Sequence, residues 1–254
     1  MRGGFNQEAF ENLAKLEEKN FWFRARNQLI IWLMQKFVLK NRQEQSLGKY
    51  LEIGCGTGYV LKGVKTAFKN TDVFGSEIFL SGLEQAKRRL EDVNLMQMDA
   101  RAIPYQDGFD VIGAFDVLEH IKEDEKVIAE VYRALKPGGF FIATVPQHDW
   151  LWSRVDDYAC HERRYKPNEL QGKMKAAGLE IVKTTSFVSL LVPLMYLARS
   201  QKKDDSTEFY PSAELALNSV LNSILYAIMK LELALIKLGI RFPIGGSRLV
   251  VGKK

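Results

Sequence analysis

Glu52-Ile53-Gly54-Cys55-Gly56-Thr57-Gly58, inside the longer run "KYLEIGCGTGYVL" from Lys49 to Leu61, decides how the rest of the chain is read. A short apolar run that ends in glycine predicts a strand, and the residues after it predict a turn into a helix. Glycines at such a junction let the backbone turn tightly and let a ligand approach the main chain. The helix N-terminus adds amides that suit an anionic group. In doubly wound α/β folds, pockets open at the carboxyl ends of parallel strands. The loop is therefore expected to border a binding crevice.

Working outward, strand and helix patterns alternate. "TDVFGSE" predicts a second strand and Ser81 to Leu90 a helix; "VNLMQMD" predicts a third strand. "FDVIGAFD", Phe109 to Asp116, is almost continuously apolar, as a strand buried on both faces should be. Glu123 to Leu135 predicts an amphipathic helix stopped by Lys136-Pro137-Gly138-Gly139, a turn signal. "FFIATV", a helix from Pro167 to Ala177 and "LEIVKTTSF" follow, and "SRLVVGKK" closes the chain as a last strand. Upstream, about Asn6 to Lys40 reads as two helices. This alternation predicts an α/β fold with a doubly wound, mainly parallel sheet. About 55 residues separate the sixth strand from the last, and insertions of that length usually carry function.

A lone glycine triplet is more often a structural turn than a site, but two carboxylates add to it. Glu77 closes the second strand, 23 positions after Gly54, where it can accept hydrogen bonds from both hydroxyls of a ribose. Asp99 closes the third strand, where it can accept from an adenine amine. Together they outline an adenosine-shaped crevice. The dinucleotide fingerprint needs G-x-G-x-x-G, whereas this loop is G-x-G-x-G with Tyr59 at the third glycine's place. Glu52 also precedes the loop. A carboxylate there repels a pyrophosphate and attracts an ammonium group, which favours S-adenosylmethionine, with its α-amino group and sulfonium, over a nicotinamide dinucleotide.

"LEIGCGTGYVL", "GSE", "MDA", "FDVIGAFDVLEHI", "EVYRALKPGGFFIATVP" and "HERRYKPNELQGKMKAAGLEI" come in an order that resembles a class I S-adenosylmethionine-dependent methyltransferase. More narrowly, they are similar to the small bacterial methyltransferases of the Methyltransferase 11/12/23 type. The resemblance covers roughly Lys49 to Phe187; Leu190 to Phe242 matches little. It implies a Rossmann-like, seven-stranded sheet of order 3-2-1-4-5-7-6 with the last strand antiparallel. It also implies N-terminal helices and a helical insertion before the final strand. Residues 1–45 would be a helical lid, and 46–254 the cofactor-binding domain with its insertion at about 190–242. Gly54, Cys55, Gly56 and Gly58 would line the methionine and ribose part of S-adenosylmethionine, and Glu52 would hold the amino group. Glu77 would take the ribose hydroxyls, with Ile78 on the adenine, and Asp99 the adenine amine, with Ala100 beside it. Asp116, Val117, Leu118 and His120 would border the methionine end and the acceptor entry. Phe21, Trp22, Phe23 and Arg26 would close the lid; equally, those aromatics are the packed face of a helix.

Methyl transfer from a sulfonium needs a base only when the acceptor must lose a proton. The candidates are His148 in "PQHDW" and His161 and Tyr165 in "DDYACHERRY", all past the fifth strand on the acceptor side. A loop histidine bonded to backbone is the commoner situation for any one of them. Arg163 and Arg164 suit an anionic acceptor, or pair with Asp156, Asp157 or Glu162. Glu119-His120 and His148-Asp149 are adjacent pairs that do not chelate one ion easily, so no metal site is expected.

The net charge of +5, from 36 basic and 31 acidic residues in 254, is too weak to argue for nucleic acid. From Phe187 onward, nine Lys/Arg stand against five Asp/Glu, so most of the excess is in the last quarter. Cys55 and Cys160 make no disulfide framework, and the acidic, polar N-terminus is unlike a signal peptide, so a reducing cytoplasm is expected. The uncharged run Leu215 to Met229, 15 residues with four Asn/Ser, is too short and polar to span a bilayer. Ser212 to Leu238 carries apolar residues at helical spacing, which fits core packing, a homodimer face, or an interfacial surface reaching a lipid-linked acceptor at the inner face of a membrane. The function expected is methyl transfer to a small or amphiphilic acceptor, lipid-linked or saccharide. The rivals are a nicotinamide-dependent oxidoreductase and a non-catalytic subunit that binds S-adenosylmethionine.

Overall fold

The computed structural model describes residues 7–39, 46–200 and 217–254. Seven strands form one sheet: β1 (Lys49–Ile53), β2 (Asp72–Glu77), β3 (Asn94–Gln97), β4 (Phe109–Phe115), β5 (Leu135–Pro146), β6 (Glu180–Phe187) and β7 (Ser247–Lys253). Their order is β3-β2-β1-β4-β5-β7-β6, as the resemblance implied. The first five run parallel, and β7 inserts antiparallel between β5 and β6. β1 and β4 lie at the centre and are buried on both faces, which is why "FDVIGAF" carries almost no polar residue.

Helices α1 (Gln7–Glu17), α2 (Phe21–Leu33), α3 (Tyr59–Ala67), α4 (Leu80–Arg89), α5 (Asp124–Ala134), α6 (Arg154–Tyr158), α7 (Glu169–Ala176), α8 (Val192–Ser200) and α9 (Ser219–Lys237) surround the sheet. Two apolar clusters fill its faces. One joins Leu29, Leu33, Tyr50, Leu61, Phe187, Met229 and Leu249; the other joins Leu51, Ile112, Val127, Phe141 and Leu170.

Lys136-Pro137-Gly138-Gly139 does not end the helix in a free turn. The chain passes straight into β5, with Leu135 paired to Phe109 and a register shift before Phe140. Gly138 takes φ +79°, and the C-terminal residue fills the gap: Gly138 N–H donates to the Lys254 carbonyl, and Lys254 N–H to that of Gly139.

The described parts of the insertion, α8 and α9, pack on the domain. α9 packs Leu225, Met229, Leu233 and Ile236 into the core at helical spacing, each buried side chain contributing about 1.5–3 kcal/mol at most. It lies on α2, where Asn222 Oδ1 accepts from Phe21 N–H (2.9 Å) and its amide donates to the Lys19 carbonyl (3.0 Å). Glu232, buried within α9, accepts from the Ser189 and Leu190 amides (2.8 Å each) and so anchors the entry to α8. The helix is 19 residues, longer than the uncharged run suggested, and is long and apolar enough by length and composition to cross a membrane. Its buried face and buried Glu232 instead place it against the domain. The expected start at Ser212 lies outside the described residues.

Candidate active site

The glycine loop is built from left-handed backbone. Gly54, Gly56 and Gly58 have φ of +60°, +51° and +76°, a region that costs other residues roughly 1–2 kcal/mol each. Three of the loop's amides are already bonded. Cys55 N–H donates to the Ser76 carbonyl, Gly58 N–H to that of Cys55, and Gly56 N–H to Glu77 Oε2 at 3.0 Å. These amides do not form the free anion cradle that the glycine pattern suggested, and a pyrophosphate finds little here.

The carboxylates at the strand ends are held in distinct settings. Glu77, buried, accepts from the Gly56, Ile78 and Phe79 amides, while burial lifts its pKa above the ordinary range. Glu52 is buried with one hydrogen bond, from the Tyr50 hydroxyl at 2.9 Å. Burial pushes its pKa up to about 8 against the pull of Tyr50 and Arg26. Such a group favours a cation arriving beside it. Asp99 lies at the pocket wall and pairs with Arg101 at 2.8 Å, which holds its pKa low. Ile78 is half exposed there and Ala100 buried.

Glu52, Gly54, Cys55, Gly56, Glu77, Ile78, Asp99 and Ala100 line part of a continuous cavity of about 1610 Å³, whereas Gly58, expected there, packs its Cα side against Ala86 and Leu90 instead. α1 contributes Phe10 and Glu17 to the cavity wall, and α2 contributes Phe21, Trp22, Phe23 and Arg26. α1 is latched to the glycine loop, because Glu17 accepts from Thr57 (2.5 Å) and Arg89 (2.7 Å). Arg26 stacks its guanidinium on Trp22, 4.4 Å from the ring centre, and pairs with Asp116 at the end of β4. Asp116 is held at φ +57°, a strained conformation for a non-glycine residue and one that clusters at functional sites. Phe21 and Trp22 both pack on the core and line the cavity.

Past β5 the structure sorts the proposed bases. His161 lines the cavity, and its Nδ1 lies 2.9 Å from Asp156 Oδ1. Asp156 is buried; the His161 and Arg164 contacts outweigh burial and hold its pKa at about 2. Tyr165 is corrected: it is fully buried outside the cavity and donates to Asp124 at 2.5 Å. That hydrogen bond and its burial raise its pKa, the opposite of what a base needs. His148 is corrected too: it stacks on Trp150 away from the cavity lining, with ring centres 5.1 Å apart. Both arginines of "HERRY" form ion pairs, Arg163 with Asp124 (2.9 Å) and Arg164 with Asp156 (2.8 Å).

Sequence reasoning missed Glu119 as a site residue. The short 3₁₀ turn Leu118–His120 rolls it inward, buried beside Asp116, and burial first and Asp116 second push its pKa well up. Neither of its carboxylate oxygens has a hydrogen-bond donor from another described residue. His120, on the same turn, lines the cavity with its ring centre 4.7 Å from that of His161. Burial and the nearby His161 lower its pKa to about 4, so it is neutral at pH 7.

Residues 51–143 match the family model described as "Methyltransferase domain". Over that segment the chain matches a methyltransferase domain, and its sheet has the strand order that the resemblance to class I S-adenosylmethionine-dependent methyltransferases implied. A probable S-adenosylmethionine-dependent methyltransferase from Mycolicibacterium smegmatis is 25% identical over 66% of this chain and 63% of its own length. A ubiquinone biosynthesis O-methyltransferase from Idiomarina loihiensis is 26% identical over 66% of this chain and 75% of its own. The chain spans 44% of the ubiquinone/menaquinone biosynthesis C-methyltransferase UbiE from Desulfotalea psychrophila, at 29% identity. Among solved structures, phosphoethanolamine N-methyltransferase 2 from Haemonchus contortus, in complex with S-adenosyl-L-methionine, superposes with a TM-score of 0.64. It shares 18% identity and covers 100% of this chain and 58% of that one, a likeness of fold. The match ends at residue 143, inside β5, so the rest of that strand and everything after it lie outside the matched segment.

Proposed function

We propose that this protein transfers the methyl group of S-adenosylmethionine to an amphiphilic acceptor drawn from a lipid surface. The observation that carries the reading is the shape of the cavity. The glycine loop, Glu52, Glu77 and Asp99 line one part, and Leu191, Leu194, Met195, Ala198, Leu217 and Leu225 of the insertion line another. Around that insertion, Leu194, Leu197, Val220 and Ile224 are exposed. Relatives named for ubiquinone biosynthesis are compatible with such an acceptor.

The residues fit the cofactor. Glu52, raised by burial, gives the amino group its counter-charge; Glu77 and Asp99 offer acceptors to the ribose and adenine; Ile78 offers an apolar wall. When bound, S-adenosylmethionine supplies the activated carbon and its leaving group. The chain's task is to align the acceptor and exclude water. Phe21, Trp22 and Phe23 exclude water from above, and Arg26 fastens the lid to Asp116. Of the three bases considered from the sequence, His161 alone lines the cavity, oriented by Asp156.

The test combines tritiated S-adenosylmethionine, anionic vesicles and a total lipid extract. Label in a solvent-extractable product, with protein co-sedimenting on the vesicles, is expected. Label confined to water-soluble product, without vesicle binding, would remove the amphiphilic acceptor. Tight binding of S-adenosylhomocysteine with no transfer to any fraction would favour a non-catalytic subunit.

A further inference from the structure

We propose that Glu119, His120 and His161 form a binding site for a divalent first-row transition-metal ion, set where the cofactor end of the cavity meets its acceptor end. Each offers one ligand atom, and these atoms lie within 4.8 Å of one another. The sequence hid the set because His161 is 41 positions from His120 and arrives only when the segment after β5 folds back.

Three observations make this a built site. The first is Glu119, about 1% exposed, its carboxylate bonded to no other described residue. Buried polar atoms without partners are rare in native proteins, and an unseen ion is one of the few explanations. The second is the support behind His161. Its Nδ1 is committed to Asp156, which is itself fixed by two bonds from Arg164 (2.8 and 3.0 Å) and one from the Ser153 amide (2.8 Å). That leaves Nε2 for an ion, the carboxylate–histidine–metal order common behind metal ligands. The third is His120, whose ring is steadied by the Ala159 main chain.

Two imidazoles and one carboxylate suit first-row ions such as Zn²⁺, Co²⁺ or Fe²⁺ rather than Mg²⁺ or Ca²⁺, which prefer all-oxygen ligands. The charges facing the cluster include the guanidiniums of Arg26 and Arg164, which oppose a cation, and the carboxylates of Asp116 and Asp156, which join Glu119 in favouring one. All three ligands line the cavity, so the remaining coordination positions open toward the acceptor. Its use in catalysis rests on the methyltransferase reading, and there it makes His161 a ligand for an ion that holds an acceptor oxygen; the ion binding itself does not depend on that reading.

Chelator-stripped full-length protein is titrated with Co²⁺, followed by visible absorption and calorimetry, alongside His161→Gln, Glu119→Gln and, as a thiol control, Cys160→Ser. One saturable Co²⁺ per chain is expected, with d–d bands, and affinity at least roughly tenfold weaker in the first two variants and unchanged in the third. A thermal shift with S-adenosylhomocysteine checks that each variant folds; if Glu119→Gln does not, His161→Gln decides alone. No saturable Co²⁺ binding, or equal affinity in wild type and His161→Gln, overturns the proposal. Co²⁺ binding that responds to these variants, without any response to S-adenosylhomocysteine, supports the site and overturns the methyltransferase reading instead.

Discussion

The guanidinium of Arg26 reaches from α2 across the cavity to the carboxylate of Asp116, at the tip of the central strand β4. Both side chains are largely buried, at 8% and 19% exposure. Removing one partner leaves a buried charge beside Glu119. Arg26→Ala should lower stability by about 3 kcal/mol. The double variant Arg26→Ala/Asp116→Asn should be more stable than the sum of the single changes allows, and urea unfolding of the full cycle measures this. Strict additivity would mean that the pair does not fasten the lid.

Glu52 sets a pH dependence. Its pKa in the folded protein is raised to about 8, whereas the unfolded value is near 4.5, so its stabilising contribution is complete below 4.5 and is lost as the pH rises through 8. A cationic amino group beside it favours the ionised form. Affinity for S-adenosylhomocysteine should therefore increase from pH 6 to 8, by roughly tenfold per unit well below 8. Calorimetry on Glu52→Gln should give weaker, pH-independent binding over the same range; an unchanged slope would take the amino group away from Glu52.

Two glycines of one loop should answer differently to alanine. A Cβ on Gly54 would meet Val117 Cγ2 at 2.6 Å, whereas on Gly56 it would find only Phe10 at 3.8 Å. Gly56→Ala should cost about 1–2 kcal/mol, the strain of left-handed backbone. Gly54→Ala should cost more by a further ~1–3 kcal/mol and displace Val117 from the cavity wall. Denaturant unfolding with S-adenosylhomocysteine affinity on both variants makes the comparison.

Tyr165 should behave as a strut. Tyr165→Phe leaves Asp124 with Arg163 and Lys173 and should cost about 1–2 kcal/mol of stability with kcat unchanged. His148→Ala should likewise leave kcat alone. A fall in kcat without loss of melting temperature in either variant would return that residue to the chemistry.

The sheet was legible because strand ends announce themselves in one dimension. "EIGCGTG", "GSE" and "MDA" each combine an apolar run with a carboxylate or glycine at its close. The acceptor side was not. In "HERRY" every residue is chemically capable, and only the fold decides that His161 and Arg164 meet Asp156 at the cavity wall while Arg163 and Tyr165 turn to Asp124. Glu119 was hidden for the same reason: next to His120 in sequence, it turns inward on a three-residue helix that no periodicity reveals. The turn signal at Gly138-Gly139 was sound locally, but pairing with Lys254 at the chain's other end was invisible from its neighbours.

Asn222 ties α9 to the start of α2 by grasping only backbone, the Phe21 amide and the Lys19 carbonyl. A clamp that reads main chain is indifferent to the side chains it spans. The side chains beside it lack that freedom: Gln28 donates to the Tyr226 hydroxyl (2.7 Å) and the Arg24 guanidinium lies over the Tyr226 ring, so α2 and α9 can change only together at those positions.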